Sequence, residues 1–339
     1  MNTPFVSRRV LVAAGVCLVA TAAWAQAPQS PQSPPALQLP PIFKDVPVAL
    51  LPARTVAELP PNTFLENLVV DAQGLAYVTS HADGVVYRYR RGGTLEVFAR
   101  LPGKVAGIAF HPKRGLLVTG ADARGRAAVF AVSLTGRTGT VGTVSTVGTL
   151  PDAVFLNGLA RLDGDVYLIA DSYKGVIWRF DAGSGRSSVW LAHPLLTRAD
   201  ENNPVPAANG VKVQGRTVWV SNTARQTLMT ISVDAAGHAG APRVVRERVN
   251  IDDFVVDADG TLYGTTHVYN SLIRIAPDGT LTTVAGAEQG MTGSTAVAFG
   301  RSQGKQQRQL YVTTNGGMFM PPPGGVQAAR LVQIDTDGR

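Results

Sequence analysis

From about residue 62 the apolar positions fall into short alternating runs broken by Gly, Asp-Gly and Gly-Gly. The clearest stretch, ENLVVDAQGLAYVTSHADGVVYRYRRGGTLEVFAR at 66–100, predicts strands over 65–71, 74–80, 84–90 and 94–99. Gly74, Asp83-Gly84 and Gly92-Gly93 supply its hairpin turns. The alternation in VVYRYR fits a half-buried outer strand. The same grammar returns at 157–192, from 209 and from 252, with weaker copies from Ala106 and Thr295.

The copies align on their second strands at Tyr77, Leu117, Tyr167, Trp219, Tyr263 and Tyr311. The repeats then start at Glu66, Ala106, Asn157, Asn209, Asp252 and Thr295, spaced by 40, 51, 52, 43 and 43 residues. Four-stranded repeats of roughly 40–50 residues are the signature of a β-propeller. The expected fold is therefore all-β, a six-bladed β-propeller of four-stranded antiparallel blades. The last copy supplies three strands, 295–299, 309–314 and 328–335. Its fourth is expected from 53–59, an N-terminal strand that closes the ring and removes an open edge. A β-sandwich with similarly spaced turns is the alternative; the shared repeat register favours the propeller.

The region ahead of the repeats has another character. Arg8 and Arg9 precede an apolar run from Val10 to Ala23, and Ala23-Trp24-Ala25 offers an A-x-A cleavage site. Residues 1–25 read as a signal peptide, either ordinary or twin-arginine. Residues 26–44, rich in Pro, Gln and Ser, read as an extended tether, leaving 45–339 for the propeller. The expectation is a periplasmic or secreted protein with no membrane span after signal cleavage.

Composition narrows the function. The 339 residues carry 31 Lys+Arg against 24 Asp+Glu, a net charge of +7 that falls to +5 once Arg8 and Arg9 leave. No basic stripe interleaved with aromatics appears, so a nucleic-acid partner is not expected. The single Cys excludes a disulfide framework and any multi-Cys metal site. With 45% apolar residues the chain can bury a large core.

The chemistry sits at the repeat starts. In a propeller the first strand of each blade lines the central channel, so its opening residue faces one channel end. Across the six blades that slot holds Glu66, Ala106, Asn157, Asn209, Asp252 and Thr295. Two carboxylates and two carboxamides from four blades form an all-oxygen set, with Glu66, Asn157, Asn209 and Asp252 as candidate metal ligands. Such hard donors favour Ca²⁺, with Mg²⁺, Mn²⁺ or Zn²⁺ as alternatives. Taken singly, each has a blander reading: Asn157-Gly158 and Asn209-Gly210 could be turns, and Glu66 and Asp252 could cap strand ends. A second ring, four residues past each aligned second-strand position, holds His81, Ala121, Asp171, Thr223, His267 and Asn315. Asp252, His267 and His81 are candidate proton acceptors; Asn157, Asp171 and Thr295 are candidate substrate contacts. Asp253 should point the opposite way along its strand.

These residues resemble the senescence marker protein/gluconolactonase/luciferin-regenerating enzyme family, and more loosely strictosidine synthase-like proteins, over roughly residues 50–339. The resemblance rests on Glu66 in FLENL, Asn157 in FLNGL, Asn209 in AANGV and Asp252 in NIDDF. It implies a six-bladed propeller with one divalent cation at the channel mouth, held by those residues, with Asn157 the closer to substrate. Two departures stand out. The usual Glu-Gly-Pro is here Glu66-Asn67-Leu68, and the fifth-blade Asp-Gly is Asp252-Asp253. Apolar residues expected near the mouth (Phe64, Phe155, Tyr173, Tyr269, Met318, Phe319, Met320) point to a less polar substrate than a sugar lactone. The resulting expectation is a Ca²⁺-dependent hydrolase of lactones or related esters acting on a small-molecule substrate. The alternative is a non-catalytic exported propeller that binds a small ligand or protein partner.

Overall fold

The structure, a computed structural model, describes residues 39–134, 141–302 and 305–336. The expected signal peptide, 1–25, and most of the expected tether lie outside the described residues. No helix among those described is long and apolar enough to cross a membrane.

One compact unit spans Pro41–Arg339. Its first strand, β1 (Ala53–Pro61), stands apart from the blade that follows it. Blade one is β2 (Leu65–Val70), β3 (Ala76–Ser80), β4 (Val85–Tyr89) and β5 (Leu95–Arg100). Blade two is β6 (Val105–His111), β7 (Gly115–Ala121), β8 (Ala127–Val132) and β9 (Val144–Thr149). Blade three is β10 (Leu156–Asp163), β11 (Val166–Asp171), β12 (Val176–Asp181) and β13 (Arg186–Ala192). Blade four is β14 (Ala208–Gln214), β15 (Thr217–Asn222), β16 (Thr227–Val233) and β17 (Ala239–Glu247). Blade five is β18 (Phe254–Val256), β19 (Leu262–Thr265), β20 (Leu272–Ile275) and β21 (Leu281–Ala285). Blade six is β22 (Ser294–Ser302), β23 (Lys305–Thr314) and β24 (Ala328–Asp335), completed by β1 against β24.

All six blades are antiparallel, and helix is confined to single 3₁₀ turns among the described residues. The inner strands β2, β6, β10, β14, β18 and β22 contact one another in that order, and β22 returns to β2. The fold is the six-bladed propeller expected, closed at the expected seam. Its core lies between blades. Tyr77 of blade one packs edge-on against Phe110 of blade two at 6.2 Å, and Tyr89 of blade one against Tyr311 of blade six at 6.0 Å. Each fully buried aromatic of this kind contributes about 1.5–3 kcal/mol.

The boundary differs from expectation in one place. Residues 41–44 are not tether: Phe43 packs edge-on against Tyr269 at 5.0 Å and joins the blade-five core. A large aromatic on that wall outweighs the extended preference of the surrounding prolines. Tyr269, expected at the mouth, is thereby occupied with Phe43.

Candidate functional site

Five of the inner strands carry a register shift near their start. Two residues of the inner strand oppose one of the second at 66–67, 106–107, 157–158 and 209–210, and β22 gains Thr295. In blade five the bulge precedes the strand: Asp252 N–H donates to Thr265 O, and Thr265 N–H donates to Asp253 O. The ring residues Glu66, Ala106, Asn157, Asn209, Asp252 and Thr295 thus all sit in bulges, which re-aim side chains at functional rims. The Asn-Gly pairs are therefore bulge positions within strands rather than turns. Their glycines serve a close approach. A Cβ on Gly107, Gly158 or Gly210 would collide with the backbone oxygen of Asn157, Asn209 or Asp252, the ring residue of the next blade.

Hydroxyls lock the ring from blade to blade. Thr79 donates to Ala106 O at 2.7 Å, Thr119 to Asn157 O at 2.9 Å and Ser221 to Asp252 O at 3.1 Å. Thr265 donates to Thr295 O at 2.7 Å, and Thr295 donates to Leu65 O at 2.7 Å. Sequence reasoning missed this belt, although a Ser or Thr two residues past the aligned second-strand position in five of the six copies announces it. Blade three lacks it: its register is offset by one, and the matching slot holds Ala170, which has no hydroxyl. Leu159 pairs with Ile169 as Leu68 pairs with Val78, so Leu168, not Tyr167, matches Tyr77.

That offset corrects one expected residue. Ser172, not Asp171, occupies the rim slot matching His81: Ser172 N–H donates to Phe155 O as His81 N–H donates to Phe64 O. The Asp171 carboxylate is instead consumed by the N–H groups of Val154, Phe155 and Lys174 and by Trp178 Nε1. It organises a loop, with both carboxylate oxygens engaged by the chain itself. Thr295 is corrected likewise, its hydroxyl engaged with Leu65 O and Thr313.

Four expected residues meet around Asp252. Asn209 Nδ2 donates to Asp252 Oδ1 at 2.5 Å and to Thr223 Oγ1 at 3.1 Å, leaving its Oδ1 unbonded among the described residues. His267 Nδ1 lies 2.8 Å from Asp252 Oδ2. Asn315 fixes the tautomer of that histidine. Its Oδ1 accepts from Gly317 and Met318 N–H, so its Nδ2 must donate to His267 Nε2 at 2.8 Å. Nε2 is then the acceptor and Nδ1–H the donor to Asp252. The backbone of His267 sits at φ 48, in the left-handed region, held by its N–H bond to Ser294 O. The Asn157 amide, 3% exposed, makes no hydrogen bond among the described residues.

Glu66 is the unsatisfied member. Its Oε2 is sealed from solvent without a partner. Burial first, then the negative charges of Asp252 and Asp253, push its carboxyl well above the usual carboxylate range. Asp253 turns away from the mouth as expected and meets Lys212 Nζ at 2.6 and 2.8 Å. Burial still raises its carboxyl, against the pull of Lys212. Among the described residues no three His, Cys, Asp or Glu side chains cluster as a metal set. A site here would have to draw on amides as well. The orphaned Glu66 oxygen, the unengaged Asn157 amide and the free Asn209 Oδ1 fit a hard divalent cation, which needs oxygen donors and uncompensated negative charge.

His81 is built differently from His267. Its Nδ1 donates to Val105 O at 2.7 Å, and its Nε2 has no partner among the described residues. Burial pulls its pKa below the ordinary 6.5, more than the bond to Val105 raises it. Aromatic rings crowd both imidazoles. Phe64 lies 5.3 Å from His81 and 6.1 Å from His267, Phe319 lies 5.4 Å from His267, and Phe155 lies 5.8 Å from His81. Val154, Tyr173 and Phe319 are exposed around them.

With this geometry in view, comparison with known proteins is informative. Residues 190–316, which contain Asn209, Asp252 and His267, match the family model described as the SMP-30/Gluconolactonase/LRE-like region. That segment is what resembles the SMP-30/gluconolactonase/LRE-like family. The family segment covers blade four, blade five and much of blade six, and solved structures extend the likeness to the whole ring. Regucalcin from Agrobacterium tumefaciens, described as a calcium-binding protein, aligns with a TM-score of 0.64 at 18% identity, covering 87% of this chain and 97% of that one. A luciferin-regenerating enzyme aligns at 0.63 and 13%, covering 84% and 95%. A protein assigned as a gluconolactonase aligns at 0.60 and 17%, covering 88% and 97%. At these identities the structures speak for the fold alone. No curated protein matches the sequence significantly.

Proposed function

We propose that the protein is a divalent-cation-dependent hydrolase of lactones or related esters with an apolar arm, acting at the ring of bulged residues. The observation that carries this reading is the buried, unpartnered Glu66 carboxylate within the field of Asp252 and, more weakly, Asp253, beside free amide oxygens. The family match of residues 190–316, and a calcium-binding neighbour of the same fold, support it.

Glu66, Asn157, Asn209 and Asp252 would hold the cation, for which Ca²⁺ suits the mixed carboxylate and amide donors. When bound, such an ion polarises a carbonyl and acidifies water. The chain's own residues supply the remainder. His81 takes the proton from the attacking water at Nε2, since Nδ1 is committed to Val105 O and burial keeps the ring neutral at pH 7. His267 holds Asp252 in place through Nδ1–H, and Asn315 keeps it in that tautomer. Asn157 orients the substrate carbonyl. Phe64, Phe155 and Phe319 shelter the apolar arm and limit competing water.

The N-terminal segment reads as an export signal, and the proposal extends to an activity in the periplasm or outside the cell. The test is hydrolysis of a panel of alkyl, aryl and sugar lactones by chelated protein with and without Ca²⁺. Turnover that returns with Ca²⁺ and prefers the apolar lactones is expected. Full activity in the chelated protein or in Asp252→Ala would overturn the reading, and cation binding without turnover would favour the purely binding propeller.

A further inference from the structure

The inner strands present their bulged starts to one end of the channel, so their other ends, with the turns that follow, form the opposite face. There a cavity of about 590 Å³ opens between the first turns of blades one and two and the inner strands of blades three and six. This is a volume typical of small-molecule sites, roughly 300–1,000 Å³. Four cationic side chains line it: Lys113 and Arg114 from blade two, Arg161 from blade three and Arg301 from blade six. We propose that this cavity binds a small organic phosphate ester, independently of the chemistry at the mouth.

The charge there is uncompensated. The side chains of Lys113, Arg114 and Arg301 make no hydrogen bond or ion pair among the described residues. Arg161 commits only Nε, to Gly164 O at 2.8 Å. The one acidic side chain in the wall, Asp71, is already engaged: Oδ1 accepts from Gln73 and Leu75 N–H, and Oδ2 faces Tyr77 OH at 3.5 Å. Other acidic residues on the same face, Asp163 and Asp165 at the first turn of blade three among them, form no hydrogen bond or ion pair with these four cations among the described residues.

The cations are also presented on a fixed frame. His111 is buried, and its Nδ1 accepts from both Lys113 and Arg114 N–H at 3.1 Å, which ties down the turn bearing them. Its Nε2 lies 3.2 Å from Asp165 Oδ1, an approach too poorly aligned for a hydrogen bond. Three guanidinium groups suit the oxygens of a phosphate, and Phe110 in the wall suits an organic substituent.

Calorimetric titration of the full chain with phenyl phosphate at low salt tests this. Saturable binding to one site is expected, and none for benzyl alcohol at the same concentration. The Arg114→Gln/Arg161→Gln double variant should weaken binding at least about tenfold, through loss of two charge-assisted contacts. Arg301→Gln, on a different blade, should weaken it as well and serves alone if the double variant fails to fold. Arg243→Gln, an exposed cation on β17, should leave it unchanged. Absence of saturable binding, variants that bind within twofold of wild type, or equal weakening by Arg243→Gln would each overturn the proposal. None of these variants should alter lactone turnover.

Discussion

Replacing Glu66 by Gln isolates the electrostatic logic of the ring. In chelated protein the Glu66 carboxylate is buried with Oε2 unpartnered, and burial, Asp252 and Asp253 all raise its pKa above the ordinary 4.5. A group that holds its proton more tightly folded than unfolded makes the fold less stable as pH rises from the unfolded value to the folded one. The slope reaches about 1.4 kcal/mol per pH unit for one proton. At roughly 2–4 °C per kcal/mol, wild type should lose about 3–5 °C per pH unit above pH 5. Glu66→Gln keeps the volume and removes the charge, so it should flatten that decline and melt above wild type at about pH 8. Ca²⁺ should act oppositely. At a hundred times Kd it stabilises wild type by about 2.7 kcal/mol through mass action, and Glu66→Gln should lose most of that gain. Melting curves at about pH 5 and 8, in chelator and in Ca²⁺, read all four states. If Glu66→Gln melts at or below wild type at high pH in chelator, or keeps the full Ca²⁺ shift, the assignment of Glu66 to a cation is wrong.

His81→Gln should lower kcat by about 10²–10⁴ while leaving Ca²⁺ binding intact, as for loss of a general base. Because burial depresses the pKa of His81, wild-type activity should stay level through neutrality and fall only as acid titrates that ring below pH 6.5. Gly210→Ala puts a Cβ 2.7 Å from Asp253 Oδ1 and 3.0 Å from Asp252 O. It should cost about 1–3 kcal/mol in denaturant titrations and weaken Ca²⁺ binding measured calorimetrically. Asn315→Ala strands the N–H groups of Gly317 and Met318 and frees His267. A loss of about 1–3 kcal/mol is expected, with kcat falling more than Ca²⁺ affinity.

The ring was legible because a two-residue period and a common turn grammar align six copies, and the repeat starts then align without any knowledge of contacts. Closure by a strand at 53–59 followed from counting three strands where four were needed, and the strand runs on to Pro61. What escaped are matters of partners rather than faces. Asp171 carries the right chemistry, but a one-residue register offset in blade three moves it out of the rim and into a nest of N–H groups. Thr295 stands in the ring, yet its hydroxyl is spent on the neighbouring blade. Asn157-Gly158 and Asn209-Gly210 look like turn dipeptides, whereas the glycine is there to admit the next blade's carbonyl. The pairing of Asp253 with Lys212 joins blades five and four, which no local pattern encodes.

The seam of blade six also sets the order in which the protein can become itself. Arg54 reaches Gln333 at 2.8 Å across 279 positions of sequence, and Thr295 reaches Leu65 O across 230. Pairings of such separation carry a heavy loop-closure cost and form late. The strand bearing Glu66 gains its blade-six neighbour only when they do, while Asn157, Asn209 and Asp252 come together through local blade-to-blade contacts. For the proposed cation site, capture is then expected as the final event of folding, with the appearance of Ca²⁺ affinity during refolding as a clock for ring closure.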